Sequence, residues 1–142
     1  MLKFLLIIIF LFFSCNKIEN HKTLSSDDIQ YIKSLKILED NETIYQFYSE
    51  FKIKYAGNFY TNKRIASYWI DKRDPRKNEI VFAYYRDISK IDTIYNAGAT
   101  YCPYLLVTAK NGNTFQVSVE GQRKEIKLFF EHAIQEWRKR KN

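Results

Sequence analysis

Gly57-Asn58-Phe59-Tyr60-Thr61-Asn62-Lys63-Arg64-Ile65-Ala66-Ser67-Tyr68-Trp69-Ile70-Asp71 is the stretch on which the reading of the fold turns. Ala56-Gly57-Asn58 carries the residue types of a turn, since Gly and Asn tolerate backbone conformations that other residues avoid. Tyr60 to Asp71 then reads as one long strand, rich in aromatic and β-branched side chains. Upstream, Thr43 to Phe51 has the same composition with no Gly or Pro, so it predicts the preceding strand.

Downstream, Asp71 to Asn78 is a polar loop punctuated by Pro75. Ile80 to Tyr85 is apolar on both faces, and Arg86-Asp87 marks a short turn. Ile88 to Tyr95 fits a bent strand or a helical turn equally well. Asn96-Ala97-Gly98-Ala99 reads as a loop tip, and Tyr104 to Lys110 as a strand with Pro103 tolerated at its start. Asn111-Gly112 between two apolar runs predicts a hairpin with a type I′ turn. Beyond it Phe115, Val117 and Val119 alternate with Gln116 and Ser118, giving one buried and one wet face.

Two helices frame these strands. Ser25 caps the first, with Asp28 three residues on, and Ile29, Ile32 and Leu35 form a narrow stripe ending near Leu38. A stripe that narrow predicts a helix at the edge of a sheet. The second is broader: Ile126, Phe129, Phe130, Ala133, Ile134 and Trp137 fall at i, i+3, i+4, i+7, i+8 and i+11. The tail Arg138 to Lys141 suits its negative C-terminal end.

The N-terminus supplies an address. Lys3 precedes an apolar run from Phe4 to Phe13, too short for a spanning helix, which needs about 20 residues. The run closes on Ser14-Cys15, which resembles a bacterial lipoprotein signal, with Phe12 standing where an aliphatic residue is usual. The resemblance implies cleavage of residues 1–14 and a lipidated Cys15, anchored in the envelope and more readily in the outer than the inner membrane. Two acyl chains hold a protein on a bilayer stably. Residues 15–23 read as a polar tether, spanning about 25–30 Å when extended, with His21 solvated. Residues 24–142 then form one domain.

With 46% hydrophobic and 17% aromatic residues in a chain of 142, a real core is available. The basic excess persists after loss of Lys3 and permits contact with anionic lipid, glycan or an acidic partner; an exported protein is a poor nucleic-acid binder. Cys102 lacks a partner thiol once Cys15 is lipidated, so it reads as a small buried apolar residue.

Nothing supports catalysis, a cofactor or a metal. His21 and His132 are the only histidines, no ligand spacing joins them to other groups, and no Gly-rich loop could cradle a phosphate. Asp71, Asp74 and Asp87 read as loop and turn acids. Lys63 and Arg64, with Arg138 and Arg140 of the tail, are the candidate anion-binding residues. Asp92-Thr93-Ile94 looks like the O-glycosylation motif of Bacteroidetes envelope proteins.

Strands followed by one amphipathic C-terminal helix resemble a pleckstrin-homology-like domain of the bacterial type. Thr61-Asn62-Lys63-Arg64-Ile65, Ala83-Tyr84-Tyr85-Arg86-Asp87-Ile88 with Ile91, and Leu106-Val107-Thr108 with Gly112 and Phe115 resemble its short motifs. The resemblance implies an α+β fold: a strongly bent antiparallel sheet or partly open barrel of about seven strands, plugged by the C-terminal helix, here with an extra N-terminal helix. The competing fold is a cone of the nuclear-transport-factor-2 type, which usually ends in strands. The expected function is a non-catalytic binding module for a protein or peptide partner in the envelope. The alternatives are a carrier of an apolar ligand, walled by Tyr45, Phe47, Tyr48, Phe59, Tyr60, Tyr68 and Trp69, or an immunity or inhibitor lipoprotein.

Overall fold

The computed structural model describes residues 17–96, 98 and 101–142. The expected signal sequence, Cys15 and three residues of the loop tip (Ala97, Ala99 and Thr100) lie outside the described residues. Helix α1 (Ser26–Ser34) precedes strands β1 (Ile44–Tyr48), β2 (Ala56–Thr61), β3 (Arg64–Trp69), β4 (Glu79–Tyr84), β5 (Ile88–Ile94), β6 (Tyr104–Ala109) and β7 (Thr114–Ser118), and helix α2 (Arg123–Arg140) closes the chain. Strands β1-β2-β3-β4 form one antiparallel sheet and β5-β6-β7 a second. This is the expected α+β architecture of seven strands, a C-terminal helix and an additional N-terminal one. Among the described residues no helix is long and apolar enough to cross a membrane.

The organising stretch is a hairpin, not a turn and one strand. Ala56, Gly57 and Asn58 lie inside β2, paired with Trp69, Tyr68 and Ser67. The chain reverses instead at Asn62-Lys63. There the Thr61 hydroxyl accepts the backbone N–H groups of Lys63 (2.9 Å) and Arg64 (3.0 Å), a side chain doing what a backbone carbonyl does in an ordinary turn. Gly57 is required where it stands, because a Cβ there would come within 2.3 Å of the Tyr68 ring.

Alternation along the first sheet gives it two buried faces. Tyr48, Tyr60, Ile65 and Ala83 point toward the second sheet, where Leu105, Val107 and Val117 meet them and Ile126, Phe129, Phe130 and Ala133 of α2 seal the core. Phe47, Phe59, Ala66 and Tyr68 point the other way, under Ile32 of α1 and the following Ile37 and Leu38. Helix α1 therefore covers a face of the sheet rather than its edge. The Ser25 hydroxyl caps it by accepting from the Asp28 N–H at 3.1 Å. It stops at Ser34, short of Leu38, because Lys36 turns to a φ of 62° and leaves the helical region.

One open reading is decided and two other expectations change. Ile88–Ile94 is a strand, with an irregularity in its pairing between Ile88 and Lys90. The β6–β7 connection is a three-residue loop in which Gly112 alone has positive φ, at 90°. The Gly112 N–H donates to the Ala109 carbonyl at 2.9 Å and the Ala109 N–H to Asn113 at 2.8 Å, which is a type I turn with a glycine bulge rather than a type I′ turn. Finally, residues 17–23 are no free tether. Glu19 exchanges two backbone hydrogen bonds with Phe47, at 2.8 and 2.7 Å, and the His21 N–H reaches Ile44 at 3.1 Å. His21 is not idle either, since its Nδ1 accepts from the Ile44 N–H at 3.2 Å. Ile18 and Leu24 pack into the two cores.

Candidate functional site

The β2–β3 turn sorts the candidate cations. Arg64 starts β3 on the face covered by the N-terminal extension, and there it is almost wholly buried. Its guanidinium meets both oxygens of the equally buried Glu42, Nε at 2.8 Å and Nη2 at 2.9 Å, and reaches Glu39 at 3.1 Å. The Thr61 hydroxyl donates to Glu42 at 2.6 Å, and the rings of Phe82 and Tyr84 lie 4.6 and 4.7 Å from the guanidinium carbon. Arg64 is thus a structural ion pair that staples the segment before β1 to the sheet, and it offers no surface to an external anion. The planar fork of Arg suits such a two-oxygen grip, which the ammonium of Lys does not.

Lys63 points outward from the same turn and binds Glu39 at 2.6 Å and the Asn41 side chain at 3.0 Å. The hydrogen bonds from Lys63 and Tyr84 hold the Glu39 carboxyl below the usual carboxylate range. Arg140, at the end of α2, binds Glu136 at 2.8 Å and donates to the Tyr45 hydroxyl at 3.3 Å. Arg138 is exposed and lines none of this. The structure brings Lys63 and Arg140 together with Arg86, which the sequence reading missed, around an open hollow of about 400 Å³ shared with Glu39, Asn62, Tyr84 and Tyr85. Arg86 sits on the one-turn 3₁₀ corner Tyr85–Asp87 between β4 and β5.

A second concavity of about 440 Å³ lies between the ends of β3–β4 and strands β6–β7. Ser67, Trp69, Glu79 and Val81 line one side, and Leu106, Thr114, Phe115 and Gln116 the other. Trp69 is 44% exposed at this end of β3, a large apolar side chain that the fold does not bury. Strand β7 pairs with β6 alone. Its last N–H, that of Ser118, is taken at 2.9 Å by the Asn58 side chain. The opposite free edge of the first sheet, β1, is partly covered by Glu19 and His21.

The remaining candidates are dispersed. The carboxylate of Asp71 accepts the N–H groups of Arg73 and Asp74, which depresses its pKa, and Asp74 is likewise depressed by the Arg76 side chain. Both acids are structuring their own loop. Cys102 is half-buried rather than core, with Sγ 3.7 Å from Glu120, and burial raises its pKa. His132 is exposed on α2, and Thr93 is half-buried within β5 opposite Leu105. Among the described residues no group of three or more His, Cys, Asp or Glu side chains could hold a metal ion. Of the aromatic residues suggested as walls of a carrier pocket, Phe47 and Phe59 stack in one core and Tyr60 meets Phe129 edge-on in the other. Tyr48 and Tyr60 belong to one core, with Tyr45 packed against it, Phe47, Phe59 and Tyr68 belong to the other, and Trp69 is exposed, so the seven do not surround one cavity.

No family model matches the chain, and no curated protein matches it in sequence. Its fold is similar to the crystal structure of a DUF1696 family protein with a pleckstrin-homology domain from Shewanella loihica PV-4. The two superpose with a TM-score of 0.54 over 86% of this chain and 97% of the other, at 14% sequence identity. The likeness supports a pleckstrin-homology-like fold.

Proposed function

We propose that the chain is a non-catalytic binding module, held on an envelope membrane through Cys15, that takes up an extended segment of a partner protein in the groove beside β7. The observation that carries this reading is the exposed Trp69 in a concavity lined along one side by Thr114, Phe115 and Gln116 of the edge strand β7. Strand addition supplies affinity through backbone hydrogen bonds, and side-chain pockets along the edge supply selectivity. Trp is the residue type most often found to dominate binding energy when a partner covers it. Val81, Leu106 and Phe115 offer apolar contacts, while Ser67, Glu79 and Gln116 can orient a peptide. The basic overall charge favours an acidic partner.

The test is photo-crosslinking in cells, with a reactive residue at Thr114 in the groove and, separately, at Lys124 in the first turn of α2, which does not line it. One dominant protein adduct at Thr114, absent at Lys124 and lost on Trp69→Ala, is the expected result. Equal labelling at both positions, or none at Thr114, would sink the groove as the site. Cys15→Ala should release the chain from the membrane fraction; if it stays, the anchor lies elsewhere.

A further inference from the structure

The hollow bounded by the β2–β3 turn, the β4–β5 corner and the end of α2 lies apart from the groove beside β7. Three cations, Lys63, Arg86 and Arg140, arrive there from three separate elements, and among the described residues Glu39 is the single acid lining it. Their states differ in an informative way. Lys63 is already neutralised by Glu39. Arg140 commits its Nε to Glu136 and one Nη2 donor to Tyr45, which leaves other N–H groups of its five to donate. Arg86 meets no carboxylate among the described residues; its guanidinium lies 5.6 Å from the Tyr84 ring centre. Asn62 uses its side-chain oxygen on the Thr43 N–H at 2.9 Å, so its amide N–H₂ is left for a further acceptor.

We propose that this hollow binds a small phosphate-bearing anion, gripped by Arg86 and Arg140 and joined by Lys63, with Glu39 as a built-in competitor for the same ammonium. A phosphate group fits this arrangement better than a carboxylate. Its peripheral oxygens can meet two guanidinium forks and an amide at once, whereas the two oxygens of a carboxylate are saturated by fewer donors. The volume exceeds a bare ion and suits a phosphorylated small molecule. Glu39 shows how the cationic wall handles an anion: its carboxylate collects Lys63, Arg64 and the Tyr84 hydroxyl, the last at 3.2 Å. An incoming phosphate that draws Lys63 away leaves Glu39 with Arg64 and Tyr84, so displacement strands no buried charge. The hollow lies at the Ile44–Thr61 end of β1. Residues 17–19 run toward the opposite end, past Tyr48, so the hollow faces away from a membrane that holds Cys15. That placement favours a soluble phosphate compound over a lipid headgroup of the same membrane.

The test titrates inorganic pyrophosphate into the full chain in neutral detergent, followed by calorimetry, with vesicles containing phosphatidylglycerol as a second arm. Arg86→Gln is exposed, so the fold should be unaffected, and it should weaken pyrophosphate binding by about tenfold or more, the scale of one hydrogen bond to a charged group. Glu39→Gln removes the competitor and should tighten binding several-fold, by roughly the worth of a part-exposed ion pair. Lys124→Gln removes the same unit of charge at the other end of α2 and should change nothing. Vesicle capture abolished by Arg86→Gln would assign the site to a headgroup phosphate; capture indifferent to it, alongside pyrophosphate binding, would assign it to a soluble one. Absence of binding in both arms, or equal weakening by Arg86→Gln and Lys124→Gln, would overturn the proposal.

Discussion

Gly57 and Asn58 look like turn residues and are strand residues, for reasons that belong to their partners. Gly57 sits opposite Tyr68, whose ring occupies the space a Cβ would need, and the Tyr68 hydroxyl donates to the Ile53 carbonyl. Asn58 is buried because it has work for each end of its amide: the nitrogen donates to Glu50 at 2.7 Å, and the oxygen accepts from Ser67 and Ser118. Neither job is visible in a local window, since each depends on residues 8 or more positions away. The Glu42–Arg64 pair is equally illegible, since no pattern joins residues 22 positions apart, and both are almost wholly buried in the fold. Glu42→Ala leaves the Arg64 guanidinium buried with only the part-exposed Glu39 against it. The expected cost is about 3–5 kcal/mol, read from urea unfolding. Replacing both residues together with Leu at 42 and Met at 64 should recover most of that loss. If the double variant is as unstable as the single one, burial of an unpaired charge is not the cause.

Among the elements, α2 was the easiest to read and the N-terminal segment the hardest. The stripe of α2 is wide and regular, and the positions it nominates, Ile126, Phe129, Phe130 and Ala133, are buried. Trp137, a turn further on, is half-buried and donates its indole N–H to the Ile88 carbonyl at 3.3 Å. Trp137→Ala should therefore cost about 2–4 kcal/mol, somewhat below a fully buried tryptophan, and an unchanged midpoint of thermal unfolding would count against this packing. The segment at residues 17–23 carries no periodicity, because backbone groups, the His21 ring and the apolar side chains of Ile18 and the adjoining Leu24 hold it. A bridge made by main-chain atoms leaves almost no mark on the sequence. The hairpin loops fall between these cases: Asn111-Gly112 located its turn correctly, but turn type depends on loop length, which the dipeptide alone does not specify.

At the scale of the whole molecule, the two sheets are joined by polar as well as apolar contacts. Asn58 bridges the first sheet to Ser118 at the end of β7, and Glu50 completes the bridge from the β1–β2 loop. Burial holds the Glu50 carboxyl above the ordinary carboxylate range, offset to a degree by the Asn58 hydrogen bond. An acid whose folded pKa is raised stabilises the fold while protonated, and that contribution fades as pH rises through the raised value. Glu50→Gln keeps an acceptor for Asn58 without the charge. The variant should match the wild type near about pH 4, where model carboxylates titrate, and exceed it in stability at neutral pH. An advantage of equal size at both pH values would point to packing instead. The architecture of strands and closing helix was legible, since it rests on periodicity and punctuation. The basic hollow was only half legible: Lys63 and Arg140 stand out as charges, but their meeting with Arg86 is set by the corner between the two sheets, which no spacing encodes.

The short stretch laid against β1 also has a mechanical meaning. The chain runs out through residues 17–19 along the line of the strand, at right angles to the hydrogen bonds that Glu19 makes with Phe47 and His21 with Ile44. A tug on the N-terminus would slide this segment lengthwise, so its bonds would resist together rather than open in succession like a zipper. If that tug came from a bilayer two residues further back, the leash would have almost no slack. The domain would then ride close to the membrane in a restricted range of tilts, and its reach toward a partner would be set by the rigid body and hardly at all by a swinging arm.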